Sequence, residues 1–416
     1  MKNNRRLFLK NAGIVGVGAA GAILLPGCNI IDSDSSDAID PVEKSNINWR
    51  NDPEWREVKY GSWGGPGVPD GPGPMDTVLL KDYAPRSSVV AQETFIPKAL
   101  YPVIDVHVHS YYPEQEEGKD EKEALVDWVK TQEEVGIKLS VVMTGATGEE
   151  FDKLVEIYLK PYPEQFQLYC GILGTDIDKP DYPERAVAEL ERCYKKGARG
   201  VGEISDKGFG VTGDRELNPN ERLHHTDIRL EPFWNKCADL NLPVNIHIAD
   251  HPSSWQPPDV FQERTPIFQQ FNQSDEEGLP YDQLLDNLPL LLEKHPRTTF
   301  IACHLANLGN DLQRLGGLLD KYPNLYLDIS ARDYEVGRQP RASAKFLAAY
   351  PTRVLFGTDM GMVKSMYQSW WRLLESDDEH MTGRVWWRYY GLDLAAPVLE
   401  NLYHDNAMKI MNWEKI

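Results

Sequence analysis

Eight short apolar segments that recur after residue 102 constrain the fold of this chain more than any other feature. They are rich in Val, Ile and Leu, and amphipathic helical patterns such as residues 121–136, 184–197, 229–241 and 311–322 lie between them. This alternation is typical of parallel sheets whose strands are joined by helices. Repeated eight times, it predicts a (β/α)8 TIM barrel. The expected strands are residues 102–109, 139–145, 166–173, 198–205, 243–250, 298–306, 325–330 and 353–361.

The first of these segments, VIDVHVHS, carries polar side chains inside an apolar run. Asp105, His107 and His109 are two residues apart, so on a regular strand they share one face, which we expect to be the barrel interior. Burying such groups without partners is costly. Four later segments carry a polar residue near their carboxyl ends, at Glu203, His247, His304 and Asp359.

Each of these residues also has an ordinary structural explanation. A single strand histidine can be a hydrogen-bonded core residue, Glu203 could pair with Arg199 or Lys207, and Asp359 could cap a helix. Imidazoles and carboxylates that converge on one ring of strand ends are better explained together. The pattern predicts a divalent metal site on the face where barrel enzymes bind their substrates.

The ordered set of polar residues resembles the metal-binding signature of the amidohydrolase superfamily. The matching motifs are HVH, VGEIS, NIHIAD, ACHLAN and FGTDMG, and the resemblance extends over residues 103–412. PVIDVHVH, LYLDISA and NLYHDNAMKIM are most similar to amidohydrolase family 2, the branch related to aminocarboxymuconate semialdehyde decarboxylase. Glu203 departs from that mononuclear branch and resembles members in which a Glu binds or bridges two metals. One or two ions are therefore expected.

The resemblance and the ligand chemistry imply a role for each residue. The principal ion, expected to be Zn²⁺ although Mn²⁺, Fe²⁺ or Ni²⁺ suit the same ligands, would be held by His107, His109, His247 and Asp359. It would lower the pKa of a bound water towards ~7, and Asp359 would accept the proton. His304 would bind a second metal or polarise the substrate carbonyl, and Glu203 would bind a second metal or act as a nearby base. Asp105 would orient a ligand histidine.

Candidate contacts to a small-molecule substrate follow the predicted strands. Arg332, just after the seventh strand, could bind a carboxylate or a sugar hydroxyl. Alternatively, it forms a surface ion pair with Asp333 or Glu335. Asp250 and His251 begin a long loop after the fifth strand and are candidates for the same role.

The amino-terminal residues resemble an export signal. NNRRLFLKNAG, with the pair Arg5 and Arg6, precedes the apolar run GIVGVGAAGAILL and is similar to a twin-arginine signal over residues 1–28. The run is shorter than the ~20 residues that span a bilayer. LLPGC resembles a lipobox in which Cys28 would be acylated, although Pro26 is atypical. We expect an exported protein, periplasmic or anchored to the membrane only through a lipid on Cys28.

Two further segments precede the barrel. Residues 29–45 are acidic and rich in Ser, which predicts a flexible linker. Residues 46–102 are rich in Gly and Pro, which predicts an extended arm, and residues 103–416 form the barrel domain. The charge of −20, from 64 acidic and 44 basic residues, makes nucleic acid an unexpected partner. Without CxxC spacing, four cysteines are predicted to be buried thiols: Cys170, Cys193, Cys237 and Cys303.

Three functions are compatible with these features. The leading hypothesis is an exported metal-dependent hydrolase that cleaves a small amide, ester or lactone with an activated water. A non-oxidative decarboxylase of the same superfamily is the alternative, and it would need a cation to hold the substrate carboxylate. A lipoprotein that only binds a ligand is the third hypothesis. Related barrels often pair, so a homodimer is a further expectation.

Overall fold

The computed structural model describes residues 77–79, 82–83, 86–109, 121–257, 263, 273, 277–360, 363–385 and 387–411. The chain divides into two compact units, Met1–Ser87 and Ser88–Ile416. The predicted export signal with Cys28, the linker, and the predicted arm as far as residue 76 lie outside the described residues. The barrel lies in the second unit.

Eight parallel strands follow one another around the second unit in chain order. They are β1 Val103–Val108, β2 Ile137–Met143, β3 Phe166–Cys170, β4 Gly200–Ser205, β5 Val244–His247, β6 Phe300–Ala302, β7 Leu325–Asp328 and β8 Val354–Leu355. The Val106 amide donates to the Phe356 carbonyl at 3.0 Å and the Asp359 amide to the His107 carbonyl at 2.8 Å, which joins the last strand to the first. The barrel is nearly closed, and the predicted fold is confirmed.

Helices connect the strands and cover the outside of the barrel. They are α1 Glu121–Val135, α2 Gly148–Leu154, α3 Tyr182–Lys196, α4 Glu231–Asp239, α5 Tyr281–Lys294, α6 Leu312–Lys321, α7 Asp333–Val336, α8 Pro340–Ala349, α9 Lys364–Glu375, α10 Ala396–Glu400 and α11 Asn406–Ile410. Helix α3 shows why they form: Ala186, Leu190 and Cys193 recur at helical spacing and are buried, with Pro183 in the first turn and Gly197 at the end. None of the helices in the described part of the chain is long and apolar enough to cross a membrane.

Two apolar clusters flank the barrel wall. Ile104 and Val106 of β1 pack with Leu139 and Val141 of β2 in the barrel interior. Val103 and Val108 belong to the larger cluster between strands and helices, in which Trp128 of α1 stacks edge-on against Phe166 of β3 at 5.3 Å between ring centroids. The strands are buried on both sides, as expected for a parallel sheet.

Two shorter elements lie against α9. Residues 88–102 form neither helix nor strand, and they contact the carboxyl-terminal end of α9 through a hydrogen bond from the Leu100 amide to the Glu375 carboxylate at 3.1 Å. The other is a small antiparallel ribbon made of β9 Met381–Thr382 and β10 Arg388–Tyr389. The four cysteines predicted to be free thiols are buried and unpaired by disulfides: Cys170, Cys193, Cys237 and Cys303.

Candidate metal centre

The six predicted metal ligands face one another at the carboxyl ends of the strands. His107 lies in β1 and Glu203 in β4, whereas His247 is the last residue of β5. The others follow the ends of their strands: His109 after β1, His304 after β6 and Asp359 after β8. Parallel strands of a barrel end at one face, so residues far apart in sequence meet there.

Four of these side chains form one donor group. Asp359 Oδ1 lies 2.9 Å from His109 Nε2 and 3.3 Å from His107 Nε2. The Glu203 carboxylate lies 3.8 Å from the Nε2 atoms of the same two histidines. One atom from each of the four residues lies within 4.8 Å of the others, a spacing compatible with one shared ion.

Glu203 also belongs to a second donor group. Its Oε1 lies 2.7 Å from His247 Nδ1 and 3.3 Å from His304 Nε2. The structure therefore places His247 with Glu203 and His304, whereas the sequence assigned it to the group of the first-strand histidines. A carboxylate that belongs to both donor groups can bind a single metal ion or bridge two metal ions.

The donor atoms fit a divalent cation. Three atoms of the predicted ligands are among the buried side-chain atoms of the described residues that make no hydrogen bond of acceptable geometry: His107 Nε2, Glu203 Oε1 and His247 Nε2. Each such atom costs about 1–3 kcal/mol unless something binds it. Imidazole nitrogens and carboxylate oxygens are the ligands that Zn²⁺, Mn²⁺ and Fe²⁺ take in proteins.

Electrostatics hold both acids in their charged form. Burial alone would raise the pKa of Glu203, but the attraction of His247 and His304 holds that pKa well below its usual range. Burial likewise opposes ionisation of Asp359, whose pKa is held well below its usual range by His304 and the first-strand histidines. Burial and His247 lower the pKa of His304 itself, which favours the neutral imidazole of a metal ligand over a positively charged group that polarises the substrate carbonyl.

His304 and Asp359 are predicted to lie in strands, but the observed strands end before them. Strands β6 and β8 end at Ala302 and Leu355, and His304 and Asp359 adopt left-handed backbone conformations with φ of 60° and 61°. A non-glycine residue in this region costs roughly 1–2 kcal/mol. The Asp328 carboxylate accepts from the His304 amide at 2.9 Å and helps to hold that conformation. Backbone strain of this kind concentrates at functional sites.

Asp105 does not point into the barrel as the spacing predicts. An irregularity in the β1–β2 pairing between Asp105 and Val108 breaks the two-residue period. Asp105 instead accepts from the Tyr367 hydroxyl of α9 at 2.6 Å and from the Thr358 hydroxyl at 2.7 Å. It contacts His107 only through the His107 amide, at 3.1 Å, so the predicted role in orienting a histidine ring is wrong.

The sequence reasoning missed Asp328 and Ser330 at the end of β7. Both are fully buried, and Asp328 Oδ2 lies 3.0 Å from His107 Nδ1. Ser330 Oγ lies 2.9 Å from His304 Nδ1. The signal was present, because LYLDIS is another apolar run with polar residues two apart near its end.

The predicted substrate contacts are buried around the same face. Arg332 Nε lies 3.1 Å from Glu335 Oε2, and this pair is buried, so the surface ion pair considered above is buried instead. His251 Nε2 lies 3.5 Å from the other oxygen of Glu335. Asp250 Oδ1 lies 3.1 Å from Lys207 Nζ and 3.4 Å from His247 Nε2, which connects this residue to the donor groups.

A cavity of about 340 Å³ lies beside β8. Thr358 and Met360, on either side of Asp359, line it. The rest of its lining is mainly apolar and comes from α9 and the ribbon, including Met366, Trp370, Leu373, Met381 and Tyr389. Arg384 at its edge is paired with Asp333 at 2.7 Å. The cavity therefore suits an uncharged, apolar group.

The fold and the site together define a (β/α)8 barrel with a ring of nitrogen and oxygen donors at its carboxyl-terminal face, as in metal-dependent barrel enzymes. A model of the amidohydrolase family (Amidohydro_2) matches residues 104–413, and the chain therefore belongs to this family. A search of curated proteins gives no match.

Several solved structures are similar to the chain at low sequence identity. The 2,6-dihydroxybenzoate decarboxylase from Rhizobium is 14% identical, with 76% of this chain and 100% of that chain covered and a TM-score of 0.48. The dihydroxybenzoic acid decarboxylase from Polaromonas sp. JS666, solved with manganese and 2-nitroresorcinol, is 15% identical with 76% and 98% covered and a TM-score of 0.49. The 4-oxalomesaconate hydratase from Rhodopseudomonas palustris is 15% identical with 74% and 95% covered and a TM-score of 0.45.

Proposed function

We propose that the protein is a metal-dependent hydrolase that cleaves a small, uncharged amide, ester or lactone. The observation that carries the proposal is the ring of six donors with an ionised Asp359 whose side chain remains 29% exposed. A bound divalent ion, for which we propose Zn²⁺, would lower the pKa of a water molecule towards ~7 and polarise the substrate carbonyl. The residues that would hold it are His107, His109, Glu203, His247, His304 and Asp359.

The chain supplies the proton transfer. Asp359 is the carboxylate at the centre that solvent reaches most easily, because the side chain of Glu203 is only 13% exposed. We infer that Asp359 Oδ2 accepts a proton from the attacking water and passes it to the leaving group. Its Oδ1, 2.9 Å from His109 Nε2, stays with the donor group.

The charge balance around the centre favours an uncharged substrate. The side chains there include four carboxylates and two cations: Glu203, Asp250, Glu335, Asp359, Lys207 and Arg332. Lys207 and Arg332 already lie within 3.1 Å of Asp250 and Glu335. A decarboxylase is expected to place an Arg or Lys beside the metal for the substrate carboxylate, and both of these side-chain cations have a protein carboxylate as a partner. This is why we favour hydrolysis.

The remaining contacts are proposed from their positions. Asp250 and His251 would hydrogen-bond the polar part of the substrate, and Arg332 would orient Glu335 and the mouth of the site. The apolar part would occupy the cavity next to Met360. We also propose that the reaction takes place outside the cytoplasm, because the first residues resemble an export signal.

Elemental analysis combined with a substrate panel tests the proposal. The purified protein is assayed on uncharged esters, lactones and amides, and in parallel for CO₂ release from dihydroxybenzoates. We expect bound metal, hydrolysis that chelation removes and metal restores, and no CO₂. CO₂ release without hydrolysis would replace this proposal by the decarboxylase.

Matched variants connect the activity to the site. His247→Ala and Asp359→Asn should lose metal and activity together. His404→Ala, which removes a half-exposed histidine paired with Asp405 at 2.9 Å, should keep both. A ligand-binding protein without catalysis would show normal binding of the panel compounds and no turnover in any metal-loaded form.

A further inference from the structure

We propose that Asp328 and Ser330 are positioning residues that fix the protonation pattern and orientation of the His107 and His304 rings. The proposal rests on the metal centre of the proposed function. It concerns two side chains that the ligand set does not include, at and just after the end of β7, a strand that supplies none of the six donors.

Asp328 is bonded on both carboxylate oxygens. Its Oδ2 faces His107 Nδ1 at 3.0 Å. Its Oδ1 accepts from the His304 amide at 2.9 Å and from the Ser330 amide at 3.1 Å, and it also accepts from the Ser330 hydroxyl. Because an ionised carboxylate only accepts, the proton between Asp328 and His107 belongs to Nδ1 of the histidine.

The same reasoning assigns the proton on His304. Its Nδ1 lies 2.8 Å from the Ser330 carbonyl oxygen, which can only accept, so His304 Nδ1 carries a hydrogen. The Ser330 hydroxyl donates its one hydrogen to Asp328. Its oxygen can accept from His304 Nδ1 at 2.9 Å and from His107 Nδ1 at 3.1 Å. Asp328 at the end of β7 and Ser330 two residues later thus anchor both rings at Nδ1.

The consequence is that, in the neutral form of each ring, the opposite nitrogen presents its lone pair to the centre. His107 Nε2 lies 3.3 Å from Asp359, and His304 Nε2 lies 3.3 Å from Glu203. A metal binds an unprotonated nitrogen, and a carboxylate on the far nitrogen orients the ring and makes it a stronger base. Asp328 and Ser330 are fully buried, so they act on the reaction only through the histidines.

Metal affinity measured by chelator competition tests this role. Asp328→Asn replaces one acceptor oxygen by an NH2 donor, which would face either the N–H at His107 Nδ1 or the His304 amide. One of these two hydrogen bonds is therefore lost, and the corresponding ring is less well oriented. We expect Asp328→Asn to bind Zn²⁺ and Mn²⁺ about 10- to 100-fold more weakly, and Ser330→Ala to lose less. Affinity within twofold of the unmodified protein in Asp328→Asn would overturn the proposal.

Two controls separate positioning from general damage. Asp378→Asn alters another buried carboxylate, bonded to Thr94 and Arg372 instead of to the centre, and should keep full metal affinity. Cys303, whose sulfur lies within 4.8 Å of donor atoms of His107 and Asp328, is changed to Ala and should also keep it. A loss in Cys303→Ala equal to that in Asp328→Asn would instead indicate an ion held by Asp328 itself and contradict the proposal.

A spectroscopic measurement works without any metal. Nitrogen chemical shifts of ¹⁵N-histidine-labelled protein, recorded at alkaline pH where each neutral ring carries one proton, report which ring nitrogen carries it, with His107→Gln and His304→Gln assigning the signals. We expect both residues to carry it on Nδ1, and His107 to become a mixture of tautomers in Asp328→Asn. Protonation at Nε2 in the unmodified protein would overturn the proposal. If the protein bound no metal, the proposed function would fail while this result still decided the role of Asp328.

Discussion

Asp105 joins the first and last strands of the barrel through a single buried carboxylate. It accepts from the Thr358 amide at 3.1 Å, the Thr358 hydroxyl at 2.7 Å and the Tyr367 hydroxyl at 2.6 Å. Burial raises the pKa of Asp105 to about 6, even though these donors and the His107 amide oppose the shift. Strand β8 has only two residues, so these side-chain bonds supplement a short ladder at the barrel seam.

Removal of one donor from Asp105 should weaken the fold. Tyr367→Phe leaves the ring and deletes the hydroxyl, so we expect a loss of about 1.5–3 kcal/mol in the free energy of unfolding, the usual value for a hydrogen bond to a charged group. Urea denaturation measures it. The matched control is Tyr169→Phe, because the Tyr169 hydroxyl is buried and has no hydrogen-bond partner among the described residues. Tyr169→Phe should leave the free energy of unfolding unchanged or increase it. Equal losses of unfolding free energy in Tyr367→Phe and Tyr169→Phe would contradict this role of Asp105.

At the scale of elements, Asp378 fastens residues 88–102 to the barrel. Its carboxylate accepts from the Thr94 amide at 2.6 Å, the Thr94 hydroxyl at 2.7 Å and Arg372 Nε at 2.6 Å. Burial opposes ionisation, but these Thr94 and Arg372 donors keep the pKa of Asp378 below its usual value. A lowered pKa stabilises the fold above the unfolded value of ~3.9, and this contribution disappears as pH falls through the folded pKa.

Asp378→Asn should therefore destabilise the protein in a pH-dependent way. At pH 7 we expect the free energy of unfolding to fall by about 1.5–3 kcal/mol, since a charged acceptor with three donors is lost. Below pH ~4 the difference from the unmodified protein should shrink, because protonation removes the same charge there. Urea titrations at several pH values measure both. A difference that is constant with pH would show that the charge of Asp378 does not hold this segment.

The sequence predicted the repeating elements well because burial imposes a regular pattern on them. Helix α1 was expected at residues 121–136 and lies at Glu121–Val135. Seven of the eight predicted strands contain an observed one, and β2 begins two residues before its predicted start at residue 139. The backbone conformation at the carboxyl ends of the strands was less predictable. Residues 304–307 all have positive φ, a backbone conformation that residues other than Gly and Asn rarely adopt. The segment ACHLAN therefore gives no sequence signal for it.

Positions that depend on contacts between distant elements were the hardest to infer. The irregularity in β1 turns Asp105 towards α9, and the period-two rule has no means of detecting it. Grouping His247 with Glu203 requires the relative heights of β4 and β5, which the sequence does not contain. Convergence at strand ends was nevertheless enough to indicate which six residues to examine, since every parallel strand of a barrel ends at the same face.

At the scale of the whole molecule, the first residues predict the compartment. Replacing the pair Arg5 and Arg6 with Lys should block transport, because a twin-arginine signal depends on both guanidinium groups. Lys10→Arg is the control and should not. Fractionation of the producing cells with an antibody to the barrel locates the protein. Export of the double variant at the normal level would exclude this route, and Cys28→Ala tests separately whether a lipid holds the protein at the membrane.

The barrel and its metal centre should be linked in stability. A ligand that binds only the folded protein at 100 times its Kd adds about 2.7 kcal/mol, which corresponds to a rise in Tm of roughly 5 °C for a domain of this size. We expect Zn²⁺ or Mn²⁺ to produce such a rise, and NaCl at equal ionic strength to produce far less, because general screening does not depend on the donor groups.

Glu203→Gln decides whether that stabilisation comes from the proposed centre. Glu203 is the residue shared by both donor groups, so its neutral analogue should lose most of the metal-dependent rise in Tm. Without metal, the same variant should be less stable than the unmodified protein at neutral pH, because His247 and His304 hold the pKa of Glu203 below its usual range and its charge therefore stabilises the folded state. Calorimetry of both proteins with and without metal measures the two effects. If Glu203→Gln showed the full metal-dependent rise in Tm, the ion would bind elsewhere and not at the proposed centre.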